Sequence, residues 1–205
     1  MSFLPGLTRL VVNEIGMTMM ASFGPEIDPD TKKEVFRYDL GRDWGGGHRE
    51  TIAWFGLNPS TADHKENDRT ITREICFSQD WGFKRMLKGN AFAFRSTDPH
   101  VLYAKKNPVD IIGPRNDEVI LEIAEQAEMI VVCWGNHGEL HRRDRQMCTL
   151  LSKFDQKVYC FGRNKTGQPV HPLYLPGTSV PERFFRDPGP PRINPGARDF
   201  KERDP

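Results

Sequence analysis

Four nearly unbroken apolar runs punctuate the middle of the chain: Thr51 to Leu57, Leu87 to Phe94, Met129 to Trp134 and Lys157 to Phe161. Runs of this kind predict short strands buried on both faces. Amphipathic stretches separate them. Residues 66–81 set Ile71, Ile75 and Phe77 among charged side chains, which predicts a helix. Asn116 reads as a helix N-cap, with Asp117 and Glu118 in the first turn and Val119, Ile120, Ile123, Ala124 and Ala127 at helical spacing. Residues 138–153 carry Leu140, Met147, Leu150 and Leu151 on a charged background, so a further helix is expected. Its run Arg142-Arg-Asp-Arg145 reads as a solvated face.

Before the first apolar run the pattern is weaker. Residues 25–30 read as a loop, Val35 to Leu40 as an edge strand or hairpin arm, and Gly45-Gly-Gly47 as a flexible connector. Strands alternating with helices predict an α/β fold, with three layers and a central, mainly parallel, four-stranded sheet. Residues 1–180 form one expected domain, with 1–50 added as a hairpin or edge. The Pro/Gly-rich tail 181–205 is expected to be extended or disordered, with Phe184, Phe185 and Phe200 available as anchors.

Composition narrows the classes of function. With 205 residues the chain can bury a sizeable core. Its 29 Lys and Arg balance 28 Asp and Glu, so net charge alone points to neither nucleic acid nor membrane. No apolar run is long enough to span a bilayer, and residues 1–24 lack the pattern of a signal peptide. Cys76, Cys133, Cys148 and Cys160 form no Cys-x-x-Cys pair, so no metal and no cofactor is expected. Cys133 and Cys160 read as reduced core residues, and the cytoplasm as the expected compartment.

Each predicted parallel strand ends in polar or Gly-containing sequence, and in a parallel sheet those ends share one edge, where ligands bind. Four groups are thereby brought together. They are Asn58-Pro-Ser-Thr61, Asn90 with Arg95-Ser-Thr97, Trp134-Gly-Asn-His137, and His171-Pro-Leu-Tyr174. Plainer roles compete for each: a turn for Asn58, a buried backbone partner for Asn90, a helix cap for Asn136 and His137, a loop histidine for His171 and a solvated arginine for Arg95.

The order of these groups resembles the uracil-DNA glycosylase superfamily over about residues 50–175. Gly56-Leu-Asn-Pro59 is similar to its Gly-x-Asn/Asp-Pro motif, Gly89 to Pro99 to its base-reading strand and loop, and His171-Pro-Leu-Tyr174 to its terminal His turn. Within this range the chain is identified as a member of DUF1643, a family of uncharacterised bacterial and phage proteins. Phe36-Arg-Tyr, Arg42-Asp-Trp44, Leu57 to Asp63, Asn90 to Arg95, Trp134 to His137 and His171 to Tyr174 carry that match.

The resemblance implies a uracil-DNA-glycosylase-like fold and a nucleobase pocket, with nucleic acid or a nucleotide as partner. Asn58, His171 and Asp63 would be catalytic. Asn58 would position water, and His171 would donate to a base carbonyl as charge develops there. Asn90 would read a base edge with donor and acceptor together. Phe77 or Trp81 would stack on the base, and Ser60, Thr61, Arg95, Asn136, His137 and Tyr174 would complete the binding set. Two positions depart from the superfamily pattern. Ser60 follows Asn-Pro where Gly or Tyr is common, and Leu173 stands where Ser grips DNA. No Asp occupies position 58, and Asp63 and Asp68 are the nearby carboxylates. The expected reaction is N-glycosidic hydrolysis or modification of an unusual base. The alternatives are a non-catalytic module that recognises such a base, and an interaction protein that uses the Pro-rich tail.

Overall fold

The computed structural model describes residues 7–29, 32–60 and 62–185. One mixed sheet of eight strands organises them, in the order β1-β2-β3-β5-β4-β6-β7-β8. Strands β1 (Leu7–Val12), β2 (Thr18–Phe23) and β3 (Arg37–Asp43) form an antiparallel meander, and β4 (Arg49–Gly56) follows. Helix α1 (Arg69–Asp80) leads to β5 (Phe83–Asn90), which pairs parallel to β4 and antiparallel to β3. Two single turns, α2 (Val101–Ala104) and α3 (Val109–Ile112), precede α4 (Asn116–Gln126) and β6 (Met129–Val132). Helix α5 (Arg143–Leu151), β7 (Val158–Cys160) and β8 (Glu182–Arg183) complete the order.

The expected parallel strands are present as β5-β4-β6-β7, in the middle of the sheet. The expected count of four is corrected to eight, because antiparallel strands extend both sides. The meander is hard to read in sequence because β3 buries Arg37 and Arg42 where an apolar pattern would place hydrophobic residues. At the other edge, residues 181–185 join the fold rather than the tail. β8 pairs with β7, and Phe184 is buried in the core. Residues 186–205, including Phe200, lie outside the described residues.

Alternate residues of β4 feed two cores, as pleating requires. Ala53 and Phe55 meet Val119, Ile120 and Ile123 of α4, with Met147 and Leu151 of α5 in the same cluster. Ile52 and Trp54 meet Ile71, Ile75 and Phe77 of α1. Helices therefore cover both faces, and the carboxyl ends of the four parallel strands stay uncovered for loops. Among the described residues no helix is long and apolar enough to cross a membrane.

Local readings are corrected at three places. β5 spans 83–90 rather than 87–94, because Ala91 and Phe92 turn to donate their N–H groups to the carbonyls of Gly56 and Leu57. Asn116 lies inside α4 rather than capping it. Its buried Nδ2 donates to the carbonyls of Asn90 and Ala91, at 3.1 and 3.0 Å, and pins the end of β5. Arg143 is buried rather than solvated. Its Nε donates to the Ala91 carbonyl at 2.7 Å, and its Nη2 pairs with Asp117.

Candidate functional site

At the carboxyl ends of β4, β5, β6 and β7 lies a cleft of about 490 Å³. That volume falls in the range of small-molecule sites. Strand β4 contributes Gly56 and the following Leu57 and Asn58, β5 contributes Lys88 and Asn90, and β6 leads into Trp134 to His137. The segment after β7 adds Val170 and His171, and the amino end of α1 adds Asp68, Thr70 and Ile71. Asn58, Ser60, Asn90, Asn136, His137 and His171 thus share one cleft.

Asn58 has a structural duty. Its Nδ2 donates to the carbonyls of Pro59 (3.1 Å), Phe94 (3.4 Å) and Ser96 (2.9 Å), tying the β4 turn to the loop after β5. With that nitrogen committed, the side chain has its oxygen end to offer a ligand. Asn90 differs. It is buried, it lines the cleft, and its Nδ2 has no hydrogen-bond partner. A buried amide donor left unsatisfied is costly unless a ligand takes it up.

His171 accepts the Leu173 N–H on Nδ1 at 3.3 Å. The neutral ring therefore carries its proton on Nε2. Desolvation of the ring, followed by the Lys88 ammonium, pushes its pKa down to about 4, although the residue as a whole is exposed at the rim. His171 is thus a neutral donor at physiological pH.

Around the rim, Asn136 Oδ1 accepts from Asn164 Nδ2 and Thr166 Oγ1, which braces the loop after β6. His137 Nδ1 lies 3.0 Å from the Tyr103 hydroxyl, and its ring meets His100 edge-on. Trp134 donates from Nε1 to Gln168 Oε1, and Gln168 in turn donates to Asp144.

Several expected site residues lie elsewhere. Phe77 and Trp81 pack with Trp54 and Phe161 in the core beside α1, with ring centroids 5.0–6.2 Å apart, and do not line the cleft. Trp134 is the large aromatic residue along the cleft instead, with its ring buried in the core against Phe184. The Asp63 carboxylate closes its own turn by accepting from the backbone N–H groups of Lys65 and Glu66, at 2.7 and 3.1 Å. Burial works to raise its pKa, but those two donors outweigh it and hold the carboxyl below its ordinary value. Arg95 pairs with Glu34 at 3.3 Å and lines an adjoining depression, which shares Ser60, Ser96 and Thr97 with the cleft. Tyr174 is 86% exposed and outside the cleft. Thr61 lies outside the described residues.

The structure adds residues that the sequence reading missed. Lys88 and Arg37, both buried, line the cleft. Arg37 Nη1 donates to the Ala62 carbonyl, while its Nε has no partner. Desolvation, then the nearby Arg95, pushes the Arg37 pKa down to about 10, so it remains a cation. Lys88 Nζ sits 2.5 Å from Glu74 Oε1 on α1. Burial disfavours its charge, but Glu74 more than compensates and holds the ammonium above its ordinary range. Both members of this pair left a trace in the sequence. Lys88 interrupts an apolar strand, and Glu74 falls in the stripe Ile71, Ile75, Ser78 that α1 buries. Asp68 Oδ1 caps α1 by accepting the Ile71 N–H at 2.8 Å.

Among the described residues no group of three or more His, Cys, Asp and Glu side chains is arranged to hold a metal ion. Neither a curated protein nor a solved structure matches the chain. A family model does: DUF1643, described as a protein of unknown function, matches residues 37–173, more than half of the chain, and the protein belongs to that family.

Proposed function

We propose that the cleft receives a nucleobase, free in a nucleotide or carried by nucleic acid, and that the protein acts on it by N-glycosidic hydrolysis or base modification. The observation that carries this reading is the unpartnered Nδ2 of buried Asn90, in the same cleft as the Nε2–H donor His171. A base edge alternates donors and acceptors at a spacing one amide can read. The cleft volume suits a base with part of its sugar. The order of motifs shared with uracil-DNA glycosylases supports the same reading as an analogy of plan, including a three-layer domain.

Incubation with modified-base oligonucleotides and free nucleotides, read by mass change, tests turnover. Asn90→Ala and His171→Ala are expected to lose product formation while melting as cooperatively as the parent. Full activity in both variants would remove these residues from the site.

One observation favours a second reading, a non-catalytic recognition module. Asp68 is the carboxylate that lines the cleft, and it is occupied in capping α1. Asp63 is turned to its own backbone. Among the described residues a strong general base is therefore not in place within the cleft. Tight base binding without any mass change is the outcome that selects this reading.

A further inference from the structure

The Lys88–Glu74 pair has a direction. Glu74 is fully buried on α1 and does not line the cleft, whereas Lys88 does. The positive end of the pair therefore faces the ligand space. Lys88 and Asn90 lie two residues apart on β5, so they share a face of the sheet. Across the sheet, Gly56 is the register partner of Asn90. A Cβ at Gly56 would lie 2.8 Å from Lys88 Nζ and 3.1 Å from Asn90 Oδ1. The polar ends of both side chains, Lys88 Nζ and the amide with Oδ1 nearer, thus converge over Gly56, a strand position that has no side chain. An ammonium carries three N–H bonds. Among the described residues its bonded acceptor is Glu74 Oε1, and the neighbouring Asn90 Nδ2 is unpartnered.

We propose that Lys88 and Asn90 form an anion-recognition subsite in the depth of the cleft, which takes a ligand oxygen bearing a full negative charge. Such an oxygen receives an ammonium and an amide N–H together, with His171 Nε2–H at the mouth. Hydrogen bonds between ionised groups are roughly twice as strong as neutral ones, and the dry surroundings strengthen them further. The inference rests on the cleft being a base site and adds the charge state of what it prefers. The oxygen belongs either to an ionised base or to a phosphate, and the two sources are separable.

The test titrates the intact protein by calorimetry with 5-nitrouracil, an anion at neutral pH, and with uracil, its neutral counterpart of similar shape. Orthophosphate serves as the third ligand. The expected result is 5-nitrouracil binding at least about tenfold tighter than uracil, the worth of one charge-assisted hydrogen bond. That preference should vanish in the paired variant Lys88→Met with Glu74→Leu, which removes both charges at once, and in the near-isosteric Asn90→Asp. Circular dichroism verifies the fold of each variant.

Equal affinity for 5-nitrouracil and uracil, or a preference that survives the paired variant, overturns the subsite and leaves base binding standing. Orthophosphate binding that depends on Lys88, with no base bound, keeps the subsite and overturns the base reading. No binding by any of the three overturns both.

Discussion

Removing Lys88 alone should unfold much of what the cleft rests on. Lys88→Met keeps most of the side-chain volume and deletes the charge. Glu74, 0% exposed, then loses its ammonium partner at 2.5 Å. What remains is the Cys133 thiol at 3.8 Å, while the second carboxylate oxygen has no partner. Breaking one member of a buried pair costs about 3–5 kcal/mol, a large share of the about 5–15 kcal/mol that typically stabilises a domain. For a chain of this size each kcal/mol moves the melting temperature by about 2–4 °C, so a fall of about 6–20 °C is expected. The deficit should also depend on pH. Burial raises the Glu74 pKa above its ordinary 4.5 even with Lys88 present, and without Lys88 only the weak Cys133 contact opposes that rise. A carboxyl with a raised folded pKa contributes its stability below the unfolded value and loses it as pH rises through the folded one. The variant should therefore lie closest to the parent below pH 4.5 and fall progressively behind above it. Thermal melts of parent and variant across this range, followed by circular dichroism, measure the effect. Adding Glu74→Leu should restore most of the loss, because no buried charge is left unpaired. A deficit of equal size at acid and neutral pH, or a double variant as unstable as the single, would refute this account of the pair.

His171, held down to about pKa 4 by desolvation and then by Lys88, should titrate near that value by NMR. The paired Lys88 and Glu74 replacement should move the midpoint up toward 6.5, and an unmoved midpoint would show that the lysine field does not reach the ring. A depressed histidine contributes stability above its unfolded pKa and loses it as pH falls through the folded value, so His171 contributes to acid destabilisation between pH 6.5 and about 4. Gly56→Ala would place a methyl 2.8 Å from Lys88 Nζ and 3.2 Å from Lys88 Cε. Because the lysine tip can shift, denaturant melts should show a modest loss of about 1–2 kcal/mol, whereas nucleobase affinity should fall at least about tenfold. Arg42→Ala should cost about 3 kcal/mol in the same melts and admit protease into residues 63–67. Buried Arg42 donates to Asn67 Oδ1 at 2.7 Å and to the carbonyls of Gly41, Asp63 and Glu66.

The apolar period made the central architecture legible. β4, β6 and β7 fall close to their predicted runs, and the same-edge rule correctly gathered Asn58, Asn90, Asn136, His137 and His171 around one cleft. The rule works because parallel strands joined by right-handed crossovers present all their carboxyl ends to one side. Other assignments failed for local reasons. Phe77 and Trp81 have the composition of a stacking platform, but their helical phase turns them into the Trp54 cluster. Asp63 has the chemistry of a base, but two backbone N–H groups two and three residues on are closer than any ligand.

Hydrophobic periodicity alone therefore determined the parallel strands, their shared polar edge and most of the cleft's amide and imidazole groups, because burial leaves a regular trace in sequence. The tertiary structure decided the electrostatics of the cleft. Arg37, Lys88 and Glu74 look like surface charges in a chain with balanced composition, and only the packing of α1 against β5 and of β3 against β5 removes them from water. Whether a charged side chain is solvated or forms a directed buried pair depends on long-range partners, and a one-dimensional pattern does not encode which partners meet.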